Sequence, residues 1–265
     1  MKNQPTFIAG KIKLKDFDPG YCAGLDKRKT KELTAQLGER IGKLQELLYA
    51  NSNHAVLLLF QGMDASGKDG SVRSVFKEVN PAGVQVANFK VPSEEERAHD
   101  FLWRIHKAVP RFGNFGVFNR SHYEAVLAER VLEIVPKKIW RQRYGQIVEF
   151  ERMLVENRVV LLKFYLHISR AEQAKRFEER LSNPEKYWKF SKADMATRQH
   201  WDDYIDAYED MLNQTSHPEA RWHLVPADHN WYRDYVVATA VAEALEGLHM
   251  KWPKLAKGLG NVRIK

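Results

Sequence analysis

Residues Gly62-Met63-Asp64-Ala65-Ser66-Gly67-Lys68-Asp69-Gly70 place glycines, a lysine and two carboxylates in one short turn. Glycine accepts backbone conformations and close approaches that a side chain blocks, and lysine sets a point charge among phosphate oxygens. The spacing of Gly62, Gly67 and Lys68 is that of a phosphate-binding loop, whose consecutive backbone N–H groups wrap an anion at a helix N-terminus. Gly62, Ala65, Ser66, Gly67, Lys68 and Asp69 are therefore the expected phosphate contacts. Asp69 stands where such loops usually carry a hydroxyl for Mg2+, while Asp64 lies inside the loop. Oxygen donors suit Mg2+, so Asp64 is the expected metal anchor, and Asp69 complements the dipole of the helix it starts.

A second polar cluster, Asn119-Arg120-Ser121-His122-Tyr123-Glu124, follows the apolar run Phe115-Gly116-Val117-Phe118. Further on, Arg176 and Arg180 sit four residues apart, on one face of a predicted helix. Arginine meets phosphate with a planar fork, so Arg120, Arg176 and Arg180 suit the equatorial oxygens of a phosphoryl group in transfer. That reaction asks a protein mainly for alignment and charge stabilisation. Glu124, one helical turn after Arg120, is a candidate for orienting or deprotonating the acceptor, the other reading being a surface glutamate. The histidines show no zinc spacing, and His122 is expected to be structural.

The elements that must position these groups alternate strand and helix. His54 to Phe60 is an apolar run of the length of a doubly buried strand, and Ser71 to Val79 reads as the helix after the loop. Further strands are expected at residues 83–89, 115–118, 159–166 and 222–226. Helices are expected from Asp26 to Tyr49, from a Ser93/Glu96 capping box through Ile105, and toward Val135. Others are expected over 137–157, after a Ser169/Glu172 cap, over about 192–212, and over 231–248. This alternation predicts an α/β fold with a mostly parallel five-stranded sheet and right-handed crossovers. The break Ser182-Asn183-Pro184-Glu185-Lys186-Tyr187-Trp188-Lys189-Phe190 is rich in lysine and aromatics. A helical hairpin over about 176–213 is read as a lid closing over phosphates, with Lys186, Trp188 and Lys189 near its tip. Residues 1–25 read as an arm and the tail after Pro253 as frayed, with a single domain between them.

The 265 residues are 44% hydrophobic and 29% charged, which fits a folded globule rather than a disordered chain. The formal net charge of +8 favours polyanionic partners such as nucleic acid, an anionic membrane or a chain of phosphates. One cysteine, Cys22, excludes an intramolecular disulfide and a cysteine-cluster metal site, consistent with a reducing cytosol. The first residues lack a signal-peptide core and no run has the length of a membrane span, so a cytoplasmic protein is expected.

The loop, the Phe118-Asn119-Arg120-Ser121-His122-Tyr123-Glu124 stretch, Asn183-Pro184 with Trp188-Lys189-Phe190, and Trp201-Asp202-Asp203-Tyr204 occur in the order that resembles the polyphosphate kinase 2 family, from about Leu25 to Leu248. The resemblance implies a P-loop kinase-like three-layer sandwich with a helical lid. It implies Mg2+-dependent, reversible phosphoryl transfer between inorganic polyphosphate and a nucleotide, with Mn2+ as an alternative ion, and a homo-oligomer, dimer or tetramer. The family's loop aspartate, loop lysine, post-strand arginine and lid arginine fall on Asp64, Lys68, Arg120 and Arg180, with Lys189 beside the last. Lys90, Asn119, Tyr123, Glu124 and Arg130 are expected on the nucleotide side. Asn119, rather than Asp, is similar to the subgroup that accepts both AMP and ADP, which usually continues with Asp where this chain has Ala125. A nucleoside monophosphate kinase using ATP is the competing enzyme reading. A nucleic-acid-binding module with a vestigial loop is the other, but no RNA-recognition or zinc-finger signature supports it.

Overall fold

The computed structural model describes residues 8, 10–255 and 257. Strands β1 (Ala55–Gln61), β2 (Val84–Asn88), β3 (Phe115–Asn119), β4 (Val159–His167) and β5 (Trp222–Pro226) form one sheet in the order β2-β3-β1-β4-β5. Every neighbouring pair is parallel. Strand β1 occupies the centre and is buried at every residue, which is why its sequence is apolar without alternation. Phe60 is in register with Asn119 on one side and Phe164 on the other. This alignment brings the turn after β1 beside Arg120, at the strand ends where α/β sheets bind ligands.

The helices are α1 (Lys27–Asn51), α2 (Lys68–Val75), α3 (Glu94–Arg97), α4 (Trp103–His106), α5 (Ala128–Val131), α6 (Lys137–Glu156), α7 (Arg170–Leu181), α8 (Lys192–Gln199), α9 (Trp201–Thr215) and α10 (Asn230–Glu246). They form two groups. Helices α1, α2 and α10 pack on one another, with α10 against β4 and β5, whereas α5, α6 and α9 pack together with α6 against β4. This is the expected three-layer arrangement, and all five expected strands are present.

Local signals explain the helix starts. Asp26 accepts from Lys29 N–H, Ser93 and Glu96 make a reciprocal capping box, and Ser169 accepts from Glu172 N–H. The helix expected from Ser93 past Ile105 is instead two short pieces, because the Asp100 carboxylate accepts from Leu102 N–H at 2.9 Å and turns the chain between them. The helix expected over 192–212 breaks at His200. Its second part, α9, buries Trp201, Tyr204, Tyr208, Met211 and Leu212 and so belongs to the core rather than to a hinged hairpin. Helix α2 begins at Lys68 and ends at Val75, earlier at both ends than its sequence reading.

The arm expected over residues 1–25 is described at residue 8 and from 10 onward. There it lies along β5 and α9: Ile8 N–H donates to Trp222 O (3.0 Å), Ile12 N–H to Asn213 (2.8 Å) and Leu14 N–H to Glu209 (2.8 Å), with Leu14 in the core. Most of the tail expected to fray after Pro253 lies outside the described residues.

Candidate active site

The turn between β1 and α2 is held open by its surroundings. Each loop carbonyl from Gly62 to Ser66 is claimed by a donor from the protein side. Lys68 Nζ donates to Gly62 O (2.7 Å) and Met63 O (3.2 Å), Gln173 Nε2 to Asp64 O (2.9 Å), Arg176 Nη1 to Ala65 O (2.8 Å) and Arg233 Nη1 to Ser66 O (3.2 Å). Met63 O also accepts from Ser66 N–H at 3.1 Å. With the carbonyls turned away, the N–H groups of Asp64, Ala65, Gly67 and Lys68 have no acceptor among the described residues. Such a run of free amides at a helix N-terminus is an anion cradle.

Two glycines are required here. Gly62 has φ +147° and Gly67 has φ +99°. A Cβ on Gly62 would come 2.6 Å from Leu166 O, and one on Gly67 would overlap the Arg233 guanidinium. Arg233 comes from the first turn of α10 and is buried, with further bonds to Asn230 and Asp234. Burial lowers its pKa while Asp234 opposes that.

Arg120 follows β3 with φ +62°, a conformation that a side chain rarely adopts. Its N–H donates to Phe60 O at 3.2 Å, which ties it to β1. Its Nη2 donates to Asp64 Oδ1 at 2.9 Å, and its Nη1 lies 3.6 Å from Glu124 Oε2. Glu124 first, and Asp64 after burial's opposing effect, hold the guanidinium charged. Burial pushes the Glu124 pKa up, against the pull of Arg120 and Lys68. Gln61, at the end of β1, lies between Ser121 and Glu124; with its amide turned so that the oxygen faces Ser121 N–H (3.1 Å), its nitrogen donates to Glu124 Oε1 (3.2 Å). Burial lowers the pKa of Lys68, while Asp64 works to keep it protonated.

These groups open onto a cleft of about 930 Å³ lined by Asp64, Ala65, Gly67, Lys68, Asp69, Lys90, Asn119, Arg120, Arg176, Arg180 and Lys189. Glu124 adjoins it through Arg120. The cleft continues past Lys27 and Lys31 of α1, Lys175, Lys186, Trp188 and Trp231. Asn119 Nδ2 donates to Asp69 Oδ1 at 2.5 Å. All three guanidinium nitrogens of Arg176 bind protein acceptors, Glu172, Ala65 O, Ala227 O and Asp228 O. Arg176 therefore braces the cradle and acts on the cleft by its charge, rather than offering a free fork. Arg180 donates to Lys189 O at 3.0 Å, which fastens the 3₁₀ turn over Pro184–Lys189 to α7.

Two residues expected on the nucleotide side lie elsewhere. Tyr123 is fully buried, and its hydroxyl donates to Glu151 at 2.6 Å. Arg130 donates to Asp210 at 2.7 Å and stacks over Trp140, in a separate cavity lined by residues 130–137, 140–141 and parts of α9. The 3₁₀ turn His122–Ala125 sends successive side chains in different directions, so closeness in sequence to Glu124 did not place Tyr123 in the cleft. Sequence reasoning missed Gln173, Arg233 and Gln61. Gln173 lies three residues before Arg176 on the same helical face, a signal that was there to use. Arg233 had none, since its contact with the loop spans most of the chain.

As to a metal, no group of three or more His, Cys, Asp or Glu side chains forms a ready cage among the described residues. Asp64 and Asp69 each meet a protein donor through one oxygen only. Mg2+ uses one or two carboxylates together with water and substrate phosphates, and this donor set fits it.

The polyphosphate kinase 2 family model matches residues 24–253. A curated relative from Meiothermus ruber, the AMP/ADP-polyphosphate phosphotransferase, is 50% identical over 256 residues, covering 96% of each chain. The ADP-polyphosphate phosphotransferase of Rhodopseudomonas palustris is 48% identical over 84% of this chain and 81% of its own length. The crystal structure of polyphosphate kinase 2 from Arthrobacter aurescens TC1 matches with a TM-score of 0.91 at 40% identity, over 96% of this chain and 93% of that one. With a family model spanning nearly its whole length and such relatives on either side, the chain belongs to the polyphosphate kinase 2 family.

Proposed function

We propose that this enzyme transfers the terminal phosphoryl group of inorganic polyphosphate to ADP and to AMP, reversibly and with Mg2+. The observation that carries the reading is the continuation of the amide cradle into a cleft walled by Lys27, Lys31, Lys175, Arg180, Lys186 and Lys189. A nucleoside triphosphate carries only three phosphates. Cations spread from α1 to the lid suit a donor that carries phosphate along the whole path. The names of the Meiothermus and Rhodopseudomonas relatives support the same donor and acceptors.

In this reading the free amides of residues 64, 65, 67 and 68 and the Lys68 side chain hold the phosphates around the bond to be broken. Arg120, held by Asp64 and Glu124, neutralises charge on the group in transfer. An acceptor phosphate oxygen attacks the terminal phosphorus in line, the bridging P–O bond breaks, and the shortened polyphosphate leaves with that electron pair. Phosphate monoesters lose their second proton at a pKa of about 6, so the attacking oxygen is already anionic at neutral pH. Glu124 then serves to orient Arg120 and the acceptor rather than to remove a proton. Asp64, with Asp69 nearby, would hold the Mg2+ ion. Bound there, the ion shields phosphate charge and orients the oxygens.

The same reading places the acceptor beside Lys90 and Asn119, which line the cleft near the ends of β2 and β3. A cytoplasmic homodimer or homotetramer belongs to it as well. No helix among the described residues is long and apolar enough to cross a membrane. The test is to mix ADP with long-chain polyphosphate and Mg2+ in the absence of any nucleoside triphosphate and follow ATP by chromatography. ATP formation supports the proposal. Phosphorylation of AMP from ATP alone, with polyphosphate inert, refutes it.

A further inference from the structure

The turn that carries Arg120 and Glu124 rests on a buried ionic node that reaches no substrate. Glu151, on α6, is fully buried. Its Oε1 accepts from Tyr123 Oη at 2.6 Å and lies 3.2 Å from His122 Nε2. Its Oε2 lies 2.6 Å from Lys163 Nζ and 3.0 Å from His217 Nε2. Lys163, fully buried on β4, also donates to Thr215 O at 2.7 Å and to Tyr123 Oη at 3.2 Å. Thr215 ends α9, and its hydroxyl accepts from Trp222 Nε1 at 2.9 Å. One carboxylate thus joins α6, the 3₁₀ turn after β3, β4 and the end of α9.

Charge pairing by itself need not stabilise such a node. Burial works against both charges, although Lys163 and the two histidines hold Glu151 ionised, well below the usual carboxylate range. A buried ion pair replaced by apolar side chains of similar volume often leaves a protein as stable or more so. What such a pair supplies is one defined geometry. His122 and Tyr123 stand between Arg120 and Glu124 in the chain, so pinning their ring ends fixes the turn from which both active-site side chains project. Arg120 also holds a left-handed φ of +62°, which persists only where the surroundings over-determine it.

We propose that the Glu151–Lys163 node positions the phosphoryl-transfer site, with Tyr123 and His122 as the arms that set where Arg120 and Glu124 point. The inference rests on the reading of Arg120 and Glu124 as parts of that site. Glu151, Lys163 and Tyr123 are positioning residues, since none of them lines the cleft.

The test uses two variants of the full chain. Tyr123→Phe deletes one hydroxyl and keeps the ring that packs on Trp222 at 4.8 Å between centroids. Glu151→Leu with Lys163→Met replaces the charges by apolar groups. Turnover of ADP with polyphosphate, thermal melting and the NMR titration of the Glu124 carboxyl are measured for each. Tyr123→Phe should melt close to the wild type and keep the KM for polyphosphate within about twofold, while kcat falls about tenfold or more, as small misplacements of catalytic groups do. The double variant, which also strips His122, His217 and Thr215 O of their partners, should melt lower and show the same fall in kcat. The Glu124 titration should shift, which a purely structural role would not produce. Wild-type kcat together with an unshifted Glu124 titration in Tyr123→Phe overturns the proposal, whether or not the double variant folds. If the wild type makes no ATP from polyphosphate, the functional reading fails, and the Glu124 titration still decides the role of the node.

Discussion

A single methyl group at Gly67 tests how the phosphate cradle is built. Gly67 has φ +99°, and a Cβ there would overlap the Arg233 guanidinium beneath the loop. The left-handed conformation costs a residue with a side chain about 1–2 kcal/mol. Displacing Arg233 forfeits its charged hydrogen bond to Ser66 O, seen at 3.2 Å, which is worth about 1.5–3 kcal/mol. Gly67→Ala should therefore destabilise the protein by about 2.5–5 kcal/mol, a large share of the net stability of an ordinary domain. In an Arg233→Ala background the guanidinium that the methyl would overlap is gone, and the backbone term of about 1–2 kcal/mol is what remains. Urea unfolding of the wild type, both single variants and the double variant gives the cycle. The coupling should be about 1.5–3 kcal/mol, with the double variant more stable than the sum of the singles predicts. Effects that add to within about 0.5 kcal/mol would refute the idea that Arg233 fills the space Gly67 leaves.

Other outcomes follow from the same geometry. Lys68→Met should lower ATP formation by about 100-fold or more with only a small fall in melting temperature, because the loss of its bonds to Gly62 O and Met63 O is offset by burial already disfavouring the Lys68 charge in the folded protein; a coupled ATP assay with a thermal melt checks both. Glu124→Gln should raise the melting temperature at pH 8 and leave it unchanged at pH 3. Burial raises the folded-state pKa of Glu124, so its ionisation penalises folding above that pKa, and the penalty vanishes as pH falls below the unfolded value. The same variant should lose turnover, since Arg120 keeps only Asp64 as a charged partner. Replacing Arg180 and Lys189 with Ala should raise the KM for polyphosphate while shifting the melting temperature little, because Lys189 is exposed and Arg180 ties α7 only to Lys189 O and Asp194; steady-state kinetics at several polyphosphate concentrations would show it.

The sequence made the frame legible where one local requirement decides structure. Strands buried on both faces are almost entirely apolar, so Ala55 to Phe60, and Val159 to Leu166 in spite of Lys163, are legible. The loop needs glycine at positions 62 and 67, where φ reaches +147° and +99°, whereas Ala65 takes its φ of +63° with a side chain. Caps at Asp26, Ser93 and Ser169 were readable because each involves side chains only a few residues apart. The supports of the cradle were not readable in the same way. Arg233 meets Ser66 from the far end of the chain, and no local pattern separates an arginine that braces a backbone from one exposed to water. Spacing puts Arg176 on the face of α7 toward the loop, but spacing gives a face and not the acceptors waiting there. Tyr123 and Arg130 were drawn toward the nucleotide by their neighbours in sequence, while Glu151 and Asp210, on separate helices, hold them elsewhere.

The contacts at the base of α7 bear on how substrate enters. Gln173 donates to Asp64 O and also accepts from Arg198 Nη1 at 2.8 Å, and Arg198 donates to Arg170 O at 2.9 Å. The excursion through residues 182–197 therefore starts and finishes at the same side chain. Swinging the whole of α7 outward would tear Gln173 and Arg176 from the backbone they support. Under the lid reading, opening is confined to the outer part, pivoting near Asn183-Pro184 and Ser191, where those contacts are kept. A long phosphate chain would then be admitted, shortened by one unit and released while the amides that grip it stay assembled from one turnover to the next.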